Sequence, residues 1–112
     1  MIRFLLALVG GSVVGLARNE LAVQALVGPA LSGIDVYGAG RLWAWKNVVR
    51  GQASLGGINV DRTSGCWLAR NALGTTGGPD LALGPDTRRC LAVVDHDDVV
   101  DDQGTGNWIF RR

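Results

Sequence analysis

FLLALVGGSVVGLA, residues 4–17, is an uncharged run closed by Arg3 on one side and Arg18 on the other, and its reading decides the fold. A membrane-spanning helix needs roughly 20 apolar residues, whereas about ten to fourteen suit a signal-peptide core, a buried helix or a partly inserted segment. After Arg18-Asn19-Glu20 the apolar pattern resumes in LAVQALV, residues 21–27, and Gly28-Pro29 then stops any helix. Two geometries compete: one helix over residues 3–27, about 37 Å long at 1.5 Å per residue, or a helical hairpin broken at Asn19. The single helix is simpler, because Glu20 and Gln24 are four apart on one side. Gly11 and Gly15 form a GxxxG spacing along which a second helix can approach in a membrane. The same glycines, with Gly10 and Ser12, lower helix propensity in water.

Working outward, residues 28–54 form a Gly-punctuated linker whose centre is Arg41-Leu42-Trp43-Ala44-Trp45-Lys46, followed by Arg50. Aromatic side chains beside cations suit a membrane interface or a protein interface. The alternation of Trp43 and Trp45 about Ala44 is strand-like and favours protein. From Leu55 the texture changes to short apolar stretches separated by Gly, Pro, Asp and Asn, the pattern of short strands joined by turns. The expected fold is therefore α+β: an N-terminal apolar helix over about 3–27, then a small antiparallel β sandwich or open barrel over 55–112. Two GPD triplets, at residues 78–80 and 84–86, read as turns, and no repeat long enough for a solenoid is read.

The 112 residues make one domain at most, perhaps with an appended helix, and 47% of them are hydrophobic, so a disordered tail is excluded. The first 50 residues hold five basic and two acidic side chains, the remainder six and eight. That imbalance is too weak to argue for nucleic acid. Cys66 and Cys90 lie 24 positions apart, without a CxxC or a Cys/His cluster, so zinc is not expected. They are either a disulfide, in an oxidising compartment, or two buried thiols in neighbouring strands.

Residues 95–102 (DHDDVVDD) hold five carboxylates and the sole histidine, His96. The spacing fails the EF-hand pattern, with valines where ligands belong, and fits a hairpin end kept soluble by charge. His96 has no serine in a nucleophile-elbow context, and Cys66 reads as a strand position. No catalytic residue, metal site or cofactor is assigned.

The expectation for function is a non-enzymatic structural subunit of a large assembly, with a bacteriophage virion as its setting. Its partners are other subunits or copies of itself, with lipid contact through the N-terminal helix; nucleic acid is not expected. The interface residues would be Phe4, Leu5, Leu8, Gly11, Gly15, Trp43, Trp45 and Arg50. The alternative is a membrane-anchored or secreted envelope protein with a disulfide-closed β-domain. Virion or cell envelope, rather than a free cytoplasmic monomer, is the expected location.

Overall fold

Ile34 and Val36 are fully buried while Asp35 between them is half-buried, and Leu42 and Ala44 are fully buried around the exposed Trp43. A burial period of two residues is the signature of strands with one face inward. The computed structural model describes residues 4–9, 13–17, 20–23 and 30–112, and among these it is built from strands. In chain order they are β1 (Phe4–Val9), β2 (Val13–Ala17), β3 (Glu20–Val23), β4 (Ala30–Tyr37), β5 (Arg41–Trp45), β6 (Val48–Asp61), β7 (Ser64–Ala69), β8 (Ala72–Thr76), β9 (Leu81–Leu83), β10 (Arg88–Val94), β11 (Val100–Asp102) and β12 (Trp108–Arg111).

Each strand pairs in parallel with the strand one coil away, so the chain winds as a solenoid. The first sheet runs β1-β4-β6-β9-β11 and the second β2-β5-β7-β10-β12. The long β6 bends between sheets: its first half joins β3 and β8 in a short third sheet, its second half joins the first. The third sheet ends at β8. In the next coil the 95–98 turn, closed by Asp98 N–H donating to the Asp95 carbonyl at 3.1 Å, leads from β10 towards β11.

Stacking in register puts like residues above one another inside. Ile34, Ile58 and Leu81 form one apolar column, Val36, Val60 and Leu83 a second, and Ala44, Leu68 and Ala92 a third. Leu42, Cys66 and Cys90 form a fourth, in which a disulfide joins Cys66 to Cys90 across adjacent coils, with Cα atoms 4.3 Å apart. Polar residues also stack where the chain turns. Asn71 Oδ1 accepts from the Asn47 backbone N–H at 3.1 Å and from its side-chain amide at 3.0 Å, while Asn71 Nδ2 donates to the Ala44 carbonyl. Buried amides linked in this way keep their hydrogen-bonding groups satisfied away from water. Close approach also fixes Gly84, where any Cβ would collide with the Asp61 side chain.

Two expectations are overturned. The helix over 3–27 is replaced by β1, β2 and β3, each in parallel register with a strand 28 residues further on: Phe4 with Ser32, Val13 with Arg41, Glu20 with Val48. Valine-rich segments interrupted by Gly10, Gly11 and Ser12 are poor helix material and good strand material, and pairing with β4, β5 and β6 decides between them. Nor is the remainder an antiparallel sandwich or barrel. Its Gly-, Pro- and Asp-rich separators are corners between sheets, so the acidic 95–98 segment joins two sheets and is not the end of a hairpin.

The solenoid also rests on a repeat that the GPD triplets obscure. Gly33, Ile34, Val36, Trp43 and Asn47 recur 24 residues later as Gly57, Ile58, Val60, Trp67 and Asn71. Such self-similarity is the mark of stacked coils. No described helix is long and apolar enough to cross a membrane.

Candidate recognition face

The outward positions of the second sheet form columns perpendicular to the strands. Gly15, Trp43, Trp67, Leu91 and Trp108 share one column, and Ala17, Trp45, Ala69, Val93 and Phe110 share another. Trp43 is 63% exposed, Trp67 42%, Trp108 66% and Phe110 50%, an unusual display of large apolar side chains on one flat surface. Trp108 and Phe110 meet edge to face with centroids 6.5 Å apart, and Lys46 Nζ lies 4.5 Å above the Trp45 ring.

Cations border this aromatic strip. At the N-terminal end of the strands stand Arg41, Arg88 and Arg89, all exposed and, among the described residues, without a carboxylate partner. At the C-terminal end stand Lys46 and Arg70, each at a left-handed corner with φ of 55°. That second row stops at the next coil, where Asp95 occupies the corner and meets Arg112 Nε at 3.3 Å. The strands of the second sheet carry no acidic residue, and those of the first carry Asp35, Asp61, Asp101 and Asp102. Charge is thus divided between the two sheets, although the chain as a whole carries a net +1.

Where Leu91 replaces tryptophan in its column, the strip dips. A depression of about 290 Å³ is lined by Arg89, Cys90, Leu91, Gly106 and Trp108. Gly65 sits between Arg41 and Arg89 in the neighbouring column, and the Arg41 stem passes 4.0 Å from where its Cβ would be. The face therefore combines apolar rings, a notch and cations, a set suited to stacking and anion binding and without a nucleophile.

Of the residues expected at an interface, Trp43, Trp45 and Gly15 lie on this sheet. Phe4, Leu5 and Leu8 lie in β1 of the first sheet, away from them, and Arg50 is exposed on the third. Gly11 lies outside the described residues. Sequence reasoning did not join Trp67, Trp108, Phe110 and Arg89 to Trp43; the signal was the recurrence of Trp43 as Trp67 at the 24-residue offset. The Cys66 sulfur is bonded to Cys90 and supplies no thiolate, and His96 is exposed in the 95–98 turn. Among the described residues no group of three or more His, Cys, Asp or Glu is placed to hold a metal ion. Comparison with protein-family models, with curated proteins and with solved structures gives no match.

Proposed function

We propose that the chain is a non-enzymatic structural module of a larger assembly, a stiff solenoid that presents its second sheet as a recognition face for an acidic partner. The observation that carries this reading is the aromatic column Trp43, Trp67 and Trp108, bordered by Arg41, Arg88 and Arg89 on strands without a carboxylate. Aromatic and arginine side chains dominate the energetics of binding surfaces, and a sheet fixed by stacked coils holds them without an ordering cost at each encounter. The bacteriophage setting rests on the sequence expectation alone.

Co-fractionation tests the reading. Native chain should travel with a heavy particle or envelope fraction, and Arg41→Glu/Arg88→Glu/Arg89→Glu should leave that fraction while keeping the far-ultraviolet spectrum of the fold. Unchanged co-fractionation of the triple variant would remove the face from the argument. The disulfide favours one refinement, the secreted or envelope alternative, because such bonds persist in oxidising compartments.

A further inference from the structure

We infer that the second sheet binds a linear polysaccharide bearing carboxylates, a polyuronate, laid across the strands with one sugar ring in the notch over Leu91 and its carboxylate on Arg89. The inference rests on the proposed recognition face and names its ligand class. Three features of the face select that class over other acidic partners.

The first is shape. Neighbouring strands are about 4.8 Å apart, so Trp67 and Trp108, flanking Leu91 at a distance of one strand each, stand about 10 Å apart along the column. The depression between them has Leu91 as its floor and Arg89 at its edge. A sugar ring has an apolar face of C–H groups that stacks on a flat aromatic or aliphatic surface, and a uronate adds the carboxylate that a guanidinium pairs with in a bidentate manner.

The second is the arrangement of cations. They border the strip at both ends of the strands, with Arg41 and Arg89 on one side and Lys46 and Arg70 on the other. An extended sugar ribbon turns the carboxylates of successive residues to opposite sides, and so meets both rows. A single strand of nucleic acid carries its phosphates along one side of its stacked bases and would leave one row unused.

The third is area. Four strands and about five residues per strand give a platform of about 19 by 17 Å. A stable protein interface needs roughly 800 Å² from each partner. The platform is too small for a second copy of the chain, and its length suits a short run of a polymer.

Titration of the intrinsic tryptophan fluorescence tests this with linear decamers of galacturonate, mannuronate and alternating glucuronate, each beside its carboxyl-reduced form. At least one uronate decamer should bind, and its reduced form should bind at least tenfold more weakly. Arg89→Gln should weaken binding about tenfold. Leu91→Trp should weaken it too, because the added ring fills the notch, whereas a merely aromatic surface would bind more tightly. Thermal midpoints near that of the parent chain would show that the variants fold. The inference is overturned if no decamer binds, if the reduced forms bind equally well, or if Leu91→Trp strengthens binding. It is also overturned if oligothymidylate binds more tightly than every uronate, or if sedimentation shows the chain self-associating through this sheet. Those last two results would leave the recognition-face reading standing; loss of that reading is seen only in the co-fractionation of the triple-glutamate variant.

Discussion

The first sheet carries Asp35, Asp61, Asp101 and Asp102, and the second carries Arg41, Arg88, Arg89 and the exposed tryptophans, yet both turn the same kind of small apolar residue inward. Ile34, Ile58 and Leu81 on one side face a space that Ala44, Leu68 and Ala92 enter from the other, all of them buried. The difference teaches that inward positions are constrained by stacking, one coil on the next, while outward positions are left to set what the molecule meets. Interior and exterior substitutions at neighbouring residues should therefore behave as if they belonged to separate problems.

The largest effect tests that separation directly. Leu68 is 1% exposed, and Leu68→Ala should cost about 2–5 kcal/mol of stability. Its neighbour Trp67 points outward, and Trp67→Ala should cost under about 1 kcal/mol while removing the central ring of the recognition face. Chemical denaturation of the two variants checks both numbers, and equal losses would break the distinction.

A smaller effect sharpens the comparison between sheets. The Cys66–Cys90 bond closes a 24-residue loop and ties coils together within the second sheet alone. Cys66→Ala with Cys90→Ala should lower stability by about 3 kcal/mol in the chain-entropy model. Hydrogen exchange should then rise more in β7 and β10 than in β6 and β9 if the two sheets open separately. A uniform rise would mean that the coils open as one unit.

The smallest effect depends on pH. Burial raises the Asp98 carboxyl above its ordinary 3.8; the Asp95 backbone N–H opposes this, and Asp80, Asp95 and Asp97 add repulsion. Asp98 therefore holds its proton more readily in the folded chain than in the unfolded one. Its ionisation disfavours the fold above the raised value, and that penalty is relieved as pH falls through it towards 3.8. Asp98→Asn keeps an oxygen for the Asp95 N–H, which Asp98 Oδ2 now accepts at 2.9 Å. A profile of thermal midpoint against pH should flatten in that window, and an unchanged slope would show that the turn does not sense this group.

Strand texture from residue 55 onward was legible in the sequence, because alternating burial and turn residues are local signals. Direction and order were not. Whether a corner rich in Gly and Asp folds a strand back on its neighbour or sends it to another sheet depends on what lies a full coil away, as Arg88 lies in register with Ser64 and Val100 with Leu81. The N-terminal run failed for the same reason: residues 4–17 read as a helix alone and as two strands once β4 and β5 exist to pair with. The recognition face was half visible, since Trp43 and Trp45 stood out locally. Trp67 and Trp108 joined them only when the register was known.

Lys46 and Arg70 each adopt a left-handed corner, a conformation that costs a non-glycine residue on the order of 1 kcal/mol, and each is followed by a buried asparagine of the stacked pair. The same Arg-Asn dipeptide stands at Arg18-Asn19, outside the described residues. The step that turns the chain is thus also the step that sets a positive charge at the rim. Duplicating one coil would add a corner, an asparagine rung and a cation together, lengthening the charged border by one strand spacing. In such a molecule the reach of the binding surface is inherited by counting, and selection could measure out a longer ligand without inventing a new contact.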